Sequence, residues 1–306
     1  MRKTKIIKFS LIFIFAFLFL NIYLFNYFKL QKSFIPFEKC FISPNNSNLS
    51  VIHLIITRFM IEYWPFRNFP NIIYTTDYIL NGIRVMKKYL IPSLENQSCK
   101  KFIFIIRLGN KANISYSKSL FDSNVNSSLK YKIIFDKDMK SYIRNISKGK
   151  DILITTRIDY DDRIYYDAVN DVRKAININK PMILYGYNSG VHYYELDNTY
   201  YEFTITHGNN GVMSLFLSLI VSLNKVNDSY NIYDLGTHIR VRKKLLDSYR
   251  KYGIKELNYE PAIFDSGDVK FVWVRQNYSG LFNFSSRIKT KLKPYKFNLS
   301  KFYGKY

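Results

Sequence analysis

Cysteine and histidine are scarce in this sequence, whose 306 residues include two cysteines and four histidines. Two cysteines are too few for a disulfide-rich scaffold or a cysteine zinc site, and the histidines show no metal-ligand spacing. Cys40 and Cys99 pair if the domain lies in an oxidising compartment; otherwise they are two free cysteines, one of them buried. The sequence leaves both interpretations open.

Acidic residues are also few. The chain has 46 Lys and Arg against 23 Asp and Glu, which gives a formal net charge of +23. Such a chain attracts polyanions such as nucleic acid, anionic lipid and phosphorylated small molecules. It lacks zinc-finger spacing, an RNP-like motif and a basic helix followed by heptads, and its lysines are spread along the whole chain. We therefore predict no nucleic-acid partner.

Apolar residues, by contrast, are abundant, since 47% of the chain is hydrophobic and 18% aromatic. This composition excludes a disordered chain. The length allows one full-sized globular domain plus a short appendage, and does not allow two large domains.

The N-terminus predicts a membrane anchor. Residues 1–8 are basic, and residues 9–28 carry no charge and are long enough for a helix to cross a bilayer. The positive-inside rule keeps residues 1–8 cytoplasmic, which predicts a type II single-pass protein with its main domain lumenal (ER or Golgi) or extracytoplasmic. Residues 29–50 are interpreted as a stem, and residues 51–306 as the catalytic domain with a basic C-terminal tail.

Potential glycosylation sites agree with a lumenal location, because Asn-x-Ser occurs more often than chance predicts from the composition. These sequons begin at Asn45, Asn48, Asn96, Asn113, Asn126, Asn145, Asn227, Asn277, Asn283 and Asn298.

Alternating apolar runs and amphipathic stretches predict an α/β fold with a mainly parallel, Rossmann-like mixed sheet flanked by helices. Continuous apolar runs predict buried strands. Predicted strands are 50–59, 101–109, 130–136, 151–159, 181–187 and 200–208; predicted helices are 78–94, 167–175 and 211–223.

An acidic cluster follows the predicted strand 151–159. Asp159, Asp161 and Asp162 lie at its carboxyl end, where parallel sheets bind ligands. Carboxylates together with substrate phosphates hold Mg²⁺ or Mn²⁺, and Arg157, on the same face as Asp159, could pair with Asp159 or with phosphate. The alternative is a solvated turn rich in Asp.

Four segments resemble the rhamnosyltransferase family, a branch of the metal-dependent A-type glycosyltransferase fold. The resemblance extends over about Val51 to Arg287, and the D-x-D-D signature is its strongest part. The segments are Thr57–Met60, Ile91–Gln97, Thr155–Asp162 and, as a helix, Ser214–Leu219.

The resemblance implies a nucleotide site and a metal site. Asp161 would bind Mn²⁺ or Mg²⁺, and Asp159 would reach the nucleotide ribose or a metal-bound water. Thr57 and Arg58 would lie beside the nucleotide. The sequence departs from the family twice, because the stretch Trp273–Gly280 lacks the late His and Val221-Ser222 replaces an acidic residue.

An inverting transferase also needs a base at the acceptor hydroxyl. Asp162 and His207 are the catalytic candidates, and Glu195, Asp197 and Glu202 are further carboxylates in the same part of the chain.

The sequence thus predicts a glycosyltransferase that moves a sugar from a nucleoside-diphosphate sugar to a glycan or glycoprotein acceptor. Two alternatives are a metal-dependent phosphoryl or nucleotidyl transferase, and a membrane-anchored sugar- or nucleotide-binding protein of transferase fold without catalysis.

Overall fold

The computed structural model describes ten parts of the chain. These are residue 40 and residues 48–61, 72–187, 189–194, 198–204, 216–226, 230–236, 241–251, 262–265 and 271–275. Within these ranges no helix has the length and apolar character needed to cross a bilayer. The predicted anchor at 9–28, most of the predicted stem and the basic tail lie outside them.

Eleven strands and six α-helices are found in the described ranges. The strands are β1 Val51–Phe59, β2 Ile103–Leu108, β3 Tyr131–Phe135, β4 Ile152–Asp159, β5 Arg163–Ile164, β6 Met182–Tyr187, β7 Ser189–Tyr194, β8 Thr199–Thr204, β9 Leu217–Ser222, β10 Ala262–Asp265 and β11 Phe271–Arg275. The helices are α1 Thr76–Lys88, α2 Leu90–Glu95, α3 Ile114–Asn124, α4 Met139–Ser147, α5 Ala168–Lys174 and α6 Val241–Lys251. Short 3-10 helices occupy Ile72–Tyr74, Asp136–Asp138 and Ile232–Leu235.

Seven strands form a mainly parallel sheet in the order β10-β6-β9-β4-β1-β2-β3. β4, β1, β2 and β3 are parallel to one another, whereas β9 lies antiparallel between β4 and β6. This confirms the predicted α/β class with a mixed, mainly parallel sheet. A second sheet has the order β5-β11-β7-β8.

Each face of the large sheet buries its own hydrophobic cluster. On one face Ile55, Phe59 and Ile106 pack with residues of α1 and α2 such as Ile83 and Leu94. The opposite face buries a second set that includes residues of α4 and α6, namely Leu54, Ile56, Ile105, Leu153, Leu217, Ile143 and Leu245. The alternation of Ile55 and Ile56 between the two clusters follows from the two-residue period of a strand.

Two predicted helices differ from the structure. Residues 211–223, including the family-like Ser214–Leu219, were predicted to be helical, but Leu217–Ser222 forms β9 with all six residues buried. The predicted helix 78–94 is divided into α1 and α2 at Tyr89, whose backbone is not helical (φ −121°, ψ −63°).

The two cysteines pair. A disulfide joins Cys40 to Cys99, across a sequence separation of 59 residues. Of the two interpretations open from the sequence, the structure therefore shows the paired one.

Gly109 ends β2 in a place where only glycine fits. Its N–H donates to the Met60 carbonyl oxygen at 3.2 Å, and a Cβ there would lie 2.3 Å from that same oxygen. We expect Gly109→Ala to lower the free energy of unfolding by about 2 kcal/mol, because the clash is with backbone and forces the strand ends apart. Urea unfolding would measure it.

Gly149→Ala is the control for this prediction. Gly149 has a left-handed φ of +71°, and a Cβ added to it would have no atom within 4 Å. Its substitution therefore reports backbone strain alone, of about 1 kcal/mol. If Gly109→Ala costs no more than this control, the steric account of Gly109 is wrong.

Candidate functional site

The strands β1, β2 and β4 are neighbours in the large sheet, and charged residues lie together at their carboxyl ends. Arg58 on β1 is in register with Arg107 on β2 and with Asp159 on β4. Residues in register on neighbouring parallel strands share a face of the sheet, and Arg157 shares it as well because it lies two residues before Asp159. The carboxyl edge of the sheet, where such folds bind ligands, therefore carries three arginines and one aspartate.

The ring of Tyr233 lies among the three arginines. Its centroid is 5.8 Å from the guanidinium carbon of Arg58, 4.5 Å from that of Arg107 and 5.4 Å from that of Arg157. These distances are within the range of cation–π attraction. We call Arg58, Arg107, Arg157 and Tyr233 the arginine cluster.

The Tyr233 side chain is fixed from both ends. Its hydroxyl donates to the carbonyl oxygen of Ile56 at 3.0 Å. Its backbone belongs to the 3-10 helix Ile232–Leu235, which begins with a capping box between Asn231 and Asp234. Burial raises the pKa of the Tyr233 phenol, with the Asp159 charge in support and against the opposing effect of the three guanidinium charges. The phenol therefore stays protonated and keeps its hydrogen bond.

Two carboxylates balance part of the positive charge. Arg58 Nη2 lies 3.3 Å from Asp159 Oδ1, and both side chains are about one-third exposed, at 31% and 32%. Arg107 is paired with Asp136, which follows β3. Among the residues that the structure describes, three guanidinium groups face these two carboxylates, which leaves an excess of one positive charge.

Arg157 is the buried member of the cluster, with 4% of its surface exposed. Its Nη1 donates to the Gly236 carbonyl oxygen at 3.3 Å, while its Nε has no hydrogen-bond partner among the described residues. Burial lowers the pKa of this guanidinium, and the charge of Asp159 opposes that effect. A buried donor of this kind favours an anionic acceptor at the site.

The structure spreads the acidic cluster over different environments. Asp159 contacts Arg58, whereas the charge of Asp161 acts on the Tyr78 phenol of α1 and, after burial, contributes to raising its pKa. Asp162 is buried (2% exposed), and its N–H donates to the Asp159 carbonyl oxygen at 3.2 Å in a turn. Within the described part of the chain, these three carboxylates do not form a group that could hold a metal ion together.

A metal ion fits the described residues poorly. Within the described ranges, no three His, Cys, Asp or Glu side chains are grouped so that they could hold one by themselves; the predicted set, Asp159 and Asp161 with substrate phosphates, is smaller and stays a prediction. The Asp159 carboxylate lies beside Arg58, and two more guanidinium groups lie around the same tyrosine ring, so the surroundings of this carboxylate are strongly positive. Hard cations require several oxygen ligands, and neighbouring positive charges oppose them.

The other predicted residues lie apart from the arginine cluster or outside the described ranges. Thr57 is fully buried and, as the neighbour of Arg58 in β1, faces the opposite side of the sheet. His207, Glu195 and Asp197 lie outside the described residues, and of Glu202 only the backbone, in β8, is described.

Arg107, Asp136 and Tyr233 were not predicted from the sequence. A signal for Arg107 was present, because β1 and β2 are both apolar runs with an arginine as the penultimate residue. No comparable signal marked Tyr233, which is one of 27 tyrosines.

Comparison with known proteins gives structural similarity alone, since no family model and no curated protein matches the chain. HddC from Yersinia pseudotuberculosis aligns with a TM-score of 0.37 and 13% identity over 76% of this chain and 98% of its own. The inositol-1-phosphate CTP transferase from T. maritima aligns with a TM-score of 0.35 and 10% identity over 79% and 94%. The 4-diphosphocytidyl-2C-methyl-D-erythritol synthase from Anaerococcus prevotii aligns with a TM-score of 0.37 and 10% identity over 79% and 94%. At TM-scores below 0.5, these similarities do not identify a function.

Proposed function

We propose that the protein is a glycosyltransferase that uses a nucleoside-diphosphate sugar as its donor. One observation carries the proposal: three arginines converge on Tyr233 at the carboxyl ends of β1, β2 and β4. Guanidinium groups bind phosphate oxygens with two parallel hydrogen bonds, and open α/β sheets bind ligands at this edge. The positive charge that the two paired carboxylates leave in excess attracts a diphosphate.

The chemistry requires charge stabilisation on the leaving group. As the sugar–phosphate bond breaks, negative charge builds on the nucleoside diphosphate, and positioned guanidinium groups stabilise it. The sugar carbon bonds to the acceptor oxygen, whose proton passes to a base. Asp159 is about one-third exposed beside Arg58 and would accept a hydrogen bond from a ribose hydroxyl of the donor.

We also propose the type II arrangement, with residues 9–28 as the anchor and the catalytic domain lumenal or extracytoplasmic. The Cys40–Cys99 disulfide supports it, because disulfides persist in oxidising compartments. The acceptor would then be a glycan or a glycoprotein on that side of the membrane.

A panel of nucleotide sugars tests the proposed activity. The full-length chain is expected to release a nucleoside diphosphate from one donor. Arg107→Gln should lower the rate at least about tenfold, because it removes one phosphate-binding charge. Arg144→Gln is the matched control, since Arg144 is an exposed arginine of α4 outside the cluster, and it should leave the rate unchanged.

Each other result has a defined meaning. Release of pyrophosphate instead of nucleoside diphosphate would replace glycosyl transfer by nucleotidyl transfer. Equal rates for Arg107→Gln and Arg144→Gln would remove the arginine cluster from the active site. Absence of turnover and of nucleotide binding would overturn the proposal.

A further inference from the structure

We infer that the arginine cluster binds the donor diphosphate without a divalent cation, with the three guanidinium groups supplying the positive charge that a metal would otherwise supply. The inference rests on the proposed function. It also departs from the metal site that the D-x-D-D sequence predicts at Asp159 and Asp161.

The first argument is the position of the charges. Arg58, Arg107 and Arg157 all lie within 6 Å of one ring centroid, so the positive charge is concentrated on one small surface. A diphosphate placed there meets several guanidinium groups at once. A divalent cation placed there meets the same groups as like charges, and repulsion between like charges disfavours its binding.

The second argument is the buried guanidinium of Arg157. The side chain is 4% exposed, and its Nε has no hydrogen-bond partner among the described residues. A guanidinium with so little access to water is costly to bury, and the negative charge of an anionic ligand beside it offsets that cost. A metal ion beside it would add to the cost through repulsion between like charges.

The third argument is that the ion pair between Asp159 and Arg58 is weak. The two side chains are about one-third exposed and 3.3 Å apart, which is long for a charge-assisted hydrogen bond. A phosphate oxygen can therefore take the place of the Asp159 carboxylate at Arg58. Once displaced from Arg58, this carboxylate can turn toward the ribose of the same ligand.

Calorimetry on the full-length chain tests the inference. The probes are pyrophosphate and the diphosphates of uridine, guanosine, thymidine and cytidine, each titrated in EDTA and again in Mn²⁺. The dissociation constant of the tightest-binding nucleotide should differ by less than about threefold between the two buffers. Arg107→Gln should weaken binding in EDTA about tenfold, and Arg144→Gln should not.

Asp159→Asn separates the two kinds of site most sharply. If the arginines neutralise the diphosphate, removal of the neighbouring negative charge tightens pyrophosphate binding in EDTA about twofold or more. If Asp159 is a metal ligand, the same substitution abolishes the Mn²⁺-dependent binding. Circular dichroism melting curves confirm that each variant is folded.

The outcomes distinguish this inference from the proposed function. Binding that requires Mn²⁺ and is lost in Asp159→Asn overturns the inference, while donor use stands. Binding in EDTA that is equal in Arg107→Gln and Arg144→Gln also overturns it, because the ligand then binds elsewhere. No binding of any probe, together with no donor turnover, overturns the proposed function itself.

Discussion

Removal of the Cys40–Cys99 disulfide is expected to lower the free energy of unfolding by about 4 kcal/mol. The bond closes a loop with a sequence separation of 59 residues, and that loop contains β1, α1 and α2. A cross-link of this span restricts the unfolded chain strongly, so its loss raises the entropy of the unfolded state. Urea unfolding of Cys40→Ala/Cys99→Ala would measure the difference.

Alanine is the suitable replacement because Cys99 is fully buried and a serine hydroxyl there would lack a hydrogen-bond partner in the core. The wild-type protein in dithiothreitol is the second arm and should lose the same free energy as the double variant. A loss below about 1 kcal/mol in both arms would contradict a stabilising disulfide.

The second large expected effect is a loss of folding stability at acidic pH. We expect the free energy of unfolding to fall by about 2.5 kcal/mol between pH 7 and pH 4.5, because of His53. Burial, supported by the charge of Arg173, lowers the pKa of this imidazole from 6.5 to about 3. Its Nε2 lies 2.7 Å from Thr156 Oγ1, which lies 2.7 Å from Ser218 Oγ, so it belongs to a buried polar chain.

The direction of the pH effect follows from the two states. Below pH 6.5 the unfolded chain takes up a proton at His53, while the folded chain does so only near pH 3. The contribution of His53 to the free energy of unfolding is therefore fully present above pH 6.5 and is lost as the pH falls toward 3. The lowered pKa of Asp151 acts only below its ordinary value of 3.8, outside this interval.

His53→Gln is the control for the acid effect. The amide keeps a polar partner for Thr156 but does not titrate, so this variant should lose less than about 1 kcal/mol over the same pH interval. Urea unfolding at both pH values gives the comparison. A pH dependence that is equal in both proteins would assign the effect to groups other than His53.

The sequence predicted the parallel strands β1 to β4 well and predicted a helix where β9 lies; it did not predict β5, β7, β10 and β11. β1, β2 and β4 are apolar runs ended by charged or turn residues, and their identity could be read locally. β9 holds four apolar residues and two serines, all of them buried, so its burial shows neither the two-residue period of a strand with one exposed face nor the 3.6-residue period of an amphipathic helix. Its place between β4 and β6 depends on pairing that no local pattern encodes.

Only part of the site was predicted, because local sequence patterns show which residues share one strand but not how separate strands pair. The shared face of Arg157 and Asp159 followed from their spacing within β4, and the structure confirms it. The alignment of Arg58 with Arg107 depends on the register between two strands about 50 residues apart, which the sequence does not reveal. The placement of Tyr233 depends on a 3-10 helix held by capping and by a hydrogen bond to β1.

The antiparallel direction of β9 determines at which end of the sheet residues inserted before this strand would lie. β9 begins opposite Arg157 and ends opposite Ile152, whereas the parallel strands begin at the other edge of the sheet. An insertion just before Leu217 would therefore emerge at the ligand edge and leave the strand register intact. An insertion just before β1 or β2 would emerge at the far edge. Under the proposed function, differences in acceptor choice among homologues are thus expected to concentrate immediately upstream of Leu217, at the carboxyl ends of the parallel strands.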